Sequence, residues 1–223
     1  MKLMHHRLEG SSTASTRGRA FTGSRCLLVA SSTLGRLLAG ALVWFCLSVC
    51  GLRWANADDV SVPLPMQVQL LTTVADYDKG FAERAKGKVK IVLLTSKNAD
   101  SARAATQVQG ALGRLAQIGG QPHEESTVRY ESGAALAGLC KNNGISVVFL
   151  MPGFQGEIAD IKRSLDGVNV LSVATIGSYV QQGIVLGFDV ISGKPKLLVN
   201  LAQARAQKVA FKAELLKMVK VIE

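Results

Sequence analysis

Beyond residue 57 this chain is poor in the residues that most often carry chemistry. It has four cysteines, and three of them, Cys26, Cys46 and Cys50, lie in the first 57 residues. Only Cys140 follows, so the remaining domain can form no intrachain disulfide and its apolar core must hold it together. Histidine is equally scarce: His5 and His6 sit at the extreme N-terminus and His123 stands alone. One imidazole and one thiol do not make the usual zinc or copper ligand sets. A Ser-His-Asp triad would have to use His123, and no G-x-S-x-G elbow accompanies it. The sequence therefore offers no catalytic residue, no metal site and no cofactor motif. Aromatic residues are 5% of the chain, and neither a basic run nor an aromatic platform argues for nucleic-acid binding.

The first 57 residues differ in kind from the rest. Residues 1–36 are rich in Ser, Thr, Gly and Arg, with Glu9 their only acid. Residues 37–52 (LLAGALVWFCLSVCGL) are continuously apolar, and Ala55-Asn56-Ala57 follows. Basic segment, apolar run and A-x-A step describe an export signal cleaved after Ala57. The run of about 16 residues is short of the roughly 20 that cross a bilayer; an uncleaved N-terminal membrane anchor is the alternative. The expected division is 1–57 signal peptide and 58–223 one α/β domain, located in the periplasm. The leader also carries most of the basic bias. Of the net charge of +10, residues 1–57 supply +6 (seven Lys/Arg against one acid) and residues 58–223 supply +4.

Past an extended lead-in with Pro63 and Pro65, helical and strand patterns alternate. Residues 66–85 carry Val68, Leu71, Val74 and Phe81 at helical spacing. Residues 88–95 form a β-branched strand. A helix over 100–118 is capped by Asn98 or Asp100 and ended by Gly119-Gly120. A strand at 126–130, a helix at 133–142 stopped by Gly144, a strand at 145–151, a helix at 157–165 and a strand at 168–173 follow. Such an order implies right-handed βαβ units on a parallel sheet covered on both faces. The end differs: 183–191 and 194–199 flank Ser192-Gly193 as a hairpin, with Pro195 at an edge, and Asn200 caps a final helix. The fold class is thus α/β, a Rossmann-like, mostly parallel sheet covered by helices, with a C-terminal β-hairpin and helix.

In an open sheet of this kind ligands sit outside the carboxyl ends of the parallel strands. Those ends are Thr95, Ser96 and Lys97, then Pro152, Gly153 and Phe154, then Thr175. Gly153-Phe154-Gln155-Gly156 reads first as a tight strand–helix turn and second as an anion contact at a helix N-terminus. Cys140 reads as a small buried apolar residue. His123 falls in a Pro-flanked polar loop. Asp76 and Asp78 do not share a helix face and read as solvated carboxylates.

The C-terminal third is the most specific. Val170-Leu171-Ser172-Val173, Gly183-Ile184-Val185, Lys196-Leu197-Leu198-Val199-Asn200-Leu201, Ala204-Arg205, Val209-Ala210-Phe211 and Leu215-Leu216 together resemble the YfiR/HmsC-like family of periplasmic proteins. Lys208 stands where that family usually has glycine, as in a divergent member. The resemblance implies a break near Lys208 and a second helix from Lys212, where periodicity alone allows one helix over 201–220. It also implies a function: repression of a membrane-bound diguanylate cyclase through binding to its periplasmic part, lowering cyclic di-GMP and biofilm matrix. The expected partner is such a cyclase or a sensor kinase, with homodimerisation left open. Leu70, Leu71, Val74, Tyr77 and Phe81 are the candidate partner surface, against their ordinary use as packing onto the sheet. The alternative function is a periplasmic small-molecule binding protein serving a transporter or receptor.

Overall fold

Apolar runs long enough to bury both faces of a strand need helices on either side, and the architecture follows from that demand. The computed structural model describes residues 60–222; the expected leader and cleavage site and three of the four cysteines lie outside them. Seven strands form one sheet in the order β2-β1-β3-β4-β5-β6-β7. They are β1 (Val89–Thr95), β2 (His123–Arg129), β3 (Val147–Leu150), β4 (Leu171–Ala174), β5 (Leu186–Ile191), β6 (Lys194–Asn200) and β7 (Lys220–Ile222). Every neighbouring pair is parallel except β5–β6.

Alternate residues of the central strands feed two cores. Ile91, Leu93, Val147 and Phe149 belong to one, and Val92, Leu94, Val148 and Leu150 to the other. The first lies beneath α1 (Leu64–Tyr77) and α3 (Ala99–Leu112). The second lies beneath α4 (Gly133–Asn143), α5 (Ile158–Leu165) and the short α6 (Ser178–Gln181). Connections on both faces make this a doubly wound α/β sheet, the expected class.

Several elements depart from the sequence pattern for identifiable reasons. The helical spacing of 66–85 is interrupted: α1 stops at Tyr77 and α2 (Phe81–Ala85) starts afresh. Asp78 leaves helical geometry to bridge Phe211, accept the Gly80 amide at 3.0 Å and pair with Arg84. Asp78 is therefore buried, correcting its reading as a solvated carboxylate. The helix expected over 100–118 ends at Leu112. Residues Ile118 and Gln121 then form a bridge around Gly119-Gly120, both at positive φ.

His123 is not in a loop. It opens β2, which starts three residues before the expected strand because its polar sequence (HEESTVR) suits an edge. The His123 imidazole is buried between Glu125 Oε2 (3.3 Å) and the Leu115 carbonyl (3.1 Å). At the hairpin, Ser192 and Gly193 both take positive φ, as a two-residue type I′ turn requires. Pro195 lies on the part of β6 that pairs with β5 alone. The C-terminal segment is α7 (Leu201–Ala206), a break, α8 (Ala213–Leu216) and β7. Lys208, at φ 57, makes the break. The resemblance located this break; β7 was not expected from either reading.

Candidate functional site

The chain order reverses at β1, since β2 lies on one side of it and β3 on the other. This is the switch point, where a crevice must open because the two connections leave on opposite faces. A cleft of about 370 Å³ occupies that place, lined by Ser96, Lys97 and Asn98 after β1 and by Gly153, Phe154, Gln155 and Glu157 after β3, with Tyr130 and Glu131 closing it from β2. An apolar pocket of about 190 Å³ adjoins it, lined by Val128, Ala135, Leu136 and Leu139 and sharing Tyr130 and Glu131.

Four of the sequence candidates, Ser96, Lys97, Gly153 and Phe154, line the cleft. Three do not. The Thr95 hydroxyl donates to the Val128 carbonyl at 3.2 Å, and the Thr175 hydroxyl donates to the Leu150 carbonyl at 3.1 Å. Both side chains tie strand ends together. Pro152 is buried, its carbonyl accepting from Ser96 Oγ at 3.3 Å.

The amides after β3 have an internal partner. Gly153 N and Phe154 N donate to the hydroxyl of the buried Tyr179 at 3.1 and 2.9 Å. A bound anion would need those N–H groups, so Tyr179 already fills the position of an anion at this turn. The turn itself demands glycine. Gly153 has φ +97, and a Cβ there would stand 2.5 Å from Ser96 Oγ. The charges agree: one lysine, Lys97, faces two carboxylates, Glu131 and Glu157. Such a lining gives no attractive field for a polyphosphate.

Tyr130 forms the wall between cleft and pocket. Its hydroxyl donates to Asp160 Oδ2 at 2.6 Å, and the Gly133 amide donates to the same oxygen at 2.9 Å. Its ring meets Phe154 edge-on, centroids 5.8 Å apart. The Tyr130 hydrogen bond, and then the Gly133 amide, hold the Asp160 carboxyl below its ordinary value. Burial, and then Asp160, push the Tyr130 phenol above its own. Tyr130, Asn98, Glu131 and Glu157 were not among the sequence candidates, and Gln155 entered only as part of the turn after β3. Tyr130 ends the strand expected at 126–130, so the strand-end rule applied to that strand as well would have found it.

Of the candidate partner surface, Leu71, Val74 and Phe81 are buried in the core, while Leu70 and Tyr77 are half-buried and pack against it. The Lys212 ammonium lies over the Tyr77 ring, 5.9 Å from its centroid. The exposed large apolar side chains among the described residues are Met66, Val190 and Met218, on three separate segments. Cys140 is buried, and desolvation pushes its thiol up to about 12, so it is inert at neutral pH. Among the described residues no group of three or more His, Cys, Asp or Glu could hold a metal ion, and no helix is long and apolar enough to cross a membrane.

The sequence model of the YfiR/HmsC-like family matches residues 69–220, most of the chain and nearly all of the described domain. The chain belongs to the YfiR/HmsC-like family. That family is one of periplasmic regulators. No curated protein matches the chain significantly. Among solved structures, the ABC domain in complex with L-Trp from Streptococcus pneumonia is 15% identical, with a TM-score of 0.49 over 72% of this chain and 62% of that one. A conserved domain protein from Vibrio cholerae O1 biovar eltor is 11% identical, with a TM-score of 0.50 over 72% of this chain and 60% of that one. This chain thus spans about six tenths of the length of either solved chain. At such identities the likeness is one of fold alone. YfiR/HmsC-like membership, by contrast, rests on sequence along the length of the domain.

Proposed function

We propose that this protein is exported to the periplasm and acts as a non-enzymatic regulator of a membrane-bound signalling protein, a diguanylate cyclase or a sensor kinase, by binding its periplasmic part. Binding holds the cyclase inactive and keeps cyclic di-GMP, and with it biofilm matrix, low. The observation that carries this reading is the family match over residues 69–220. The site chemistry is consistent with it: the cleft presents one lysine and two carboxylates, and its candidate anion amides are already bonded to Tyr179. The test is crosslinking of the tagged protein in its host's envelope, with captured proteins identified by mass. Recovery of a membrane protein with a periplasmic segment and a cytoplasmic cyclase or kinase domain supports the reading. Recovery of a transporter alone contradicts it.

One observation favours a second reading, a small-molecule binding protein: the 370 Å³ cleft lies at the switch point, with Ser96, Lys97, Gly153 and Phe154 along it. A ligand held there would raise the melting temperature, because it binds the native state alone. A thermal-shift screen of small polar metabolites against wild type and Lys97→Ala separates the two readings.

A further inference from the structure

β2 is an outer strand, paired only with β1. Its backbone bonding alternates. The Tyr130 amide donates inward to Thr95 O, and Pro122 O accepts inward from the Val89 amide, at 2.8 Å each. Residues of even number therefore face β1, and His123, Glu125, Thr127 and Arg129 turn their N–H and C=O groups outward. The outward groups of these four residues, which pair with no strand among the described residues, are a template for another strand.

The side chains on this edge are self-complementary in one register. Antiparallel pairing about a two-fold axis at Thr127 makes Thr127 face its own copy and puts Glu125 opposite Arg129, twice by symmetry. His123 comes opposite Glu131 in the same arrangement. All these residues are of odd number, so each pair joins outward-facing backbone groups, as a hydrogen-bonded antiparallel pair requires. The neighbouring registers lack this match. An axis at Ser126 sets His123 against Arg129, and an axis at Glu125 sets that carboxylate against itself. Opposite charges directly across an antiparallel pair stabilise it and like charges oppose it.

The charges are also available. Arg129 and Glu131 make no ion pair or side-chain hydrogen bond among the described residues, and Arg129 is exposed. Glu125 bonds His123 through Oε2, leaving Oε1 for a partner. Charges that merely guard an edge against stray strands need no particular order; these match one another only in the Thr127 register.

We propose that the protein forms a two-fold dimer through β2, antiparallel about Thr127, joining two seven-stranded sheets into one. The three central residue pairs exchange about six main-chain hydrogen bonds. Glu125–Arg129 pairs fix the register. This inference is independent of the regulatory reading, since it concerns a second copy of the chain alone.

Sedimentation velocity of the exported chain reads the mass directly. Wild type is expected as a dimer. Glu125→Arg and Arg129→Glu, each alone, are expected to raise the dimer dissociation constant about tenfold or more, because each sets like charges across the two-fold axis. Mixed together, the two variants should recover a heterodimer, because at both symmetry-related contacts an arginine of one chain then lies opposite a glutamate of the other. Thr127→Pro removes only an outward N–H and should give a folded monomer. Thr127→Cys should form an intermolecular disulfide on oxidation, since hydrogen-bonded antiparallel partners lie about 5.5 Å apart at Cα; the buried Cys140 does not compete. A monomeric wild type, a dimer unchanged by either charge reversal, or two variants that fail to pair on mixing overturns the proposal.

Discussion

The hydroxyl of Tyr179 accepts the backbone amide of Phe154 at 2.9 Å, from a side chain with no exposed surface. One side chain on α6 thus organises the turn that follows β3. Tyr179→Phe keeps the ring and removes the acceptor of both amides. It is expected to cost about 2 kcal/mol, the penalty for stranding a buried donor. Urea unfolding measures it, and a loss below about 0.5 kcal/mol would mean that water replaces the hydroxyl at little cost.

Arg84 and Asp78 form a buried pair, Nη1 to Oδ2 at 2.7 Å, with side chains 2% and 0% exposed. Arg84 Nε also donates to Asn169 Oδ1 at 3.0 Å, tying the α1–α2 junction to the segment before β4. Asp78→Ala leaves a buried guanidinium without its counter-ion and should cost about 3–5 kcal/mol. Adding Arg84→Met should recover part of that loss. Equilibrium unfolding of the two singles and the double gives the coupling; simple additivity would contradict a shared ion pair.

Lys208 adopts φ 57, in the left-handed region. A side chain in this left-handed region costs about 1–2 kcal/mol, against about 0.5–1 kcal/mol for the added freedom of glycine when unfolded. Lys208→Gly should therefore stabilise the protein by about 0.5–1 kcal/mol. Thermal unfolding should show a rise in Tm, and a fall would mean that the Lys208 side chain contributes more than its backbone costs.

The Tyr130–Asp160 contact predicts a pH effect of defined sign. Asp160 is depressed in the folded state by the Tyr130 hydroxyl and then the Gly133 amide. Its contribution is therefore complete above the unfolded carboxylate value, about 3.9, and is lost as pH falls through the lower folded value. Tyr130→Phe should raise the Asp160 titration midpoint toward the ordinary value, read by carbon NMR of the carboxyl. An unmoved midpoint would assign the depression to the Gly133 amide and the Arg163 guanidinium.

Most of the sheet was legible because its central strands are nearly continuous apolar runs. Val147–Leu150 must be buried on both faces, and only a doubly covered sheet does that. The helix caps at Asn98, Ser132 and Asn200 were legible because each side chain accepts an amide locally. What failed was set by distant contacts. Asp78 breaks a good helical pattern to reach Phe211 and Arg84. The start of β2 hid in a polar sequence because an edge strand faces water, so His123 was read as a loop residue. The Tyr179 hydroxyl was invisible as the occupant of the turn after β3, for nothing near residue 153 points to residue 179.

The most direct test of the regulatory account is cyclic di-GMP in the host, measured in the wild type, in a strain lacking this gene, and in that strain complemented with and without residues 1–57. The account predicts a rise on deletion that the full chain reverses and the leaderless chain does not. An unchanged cyclic di-GMP level on deletion would contradict it.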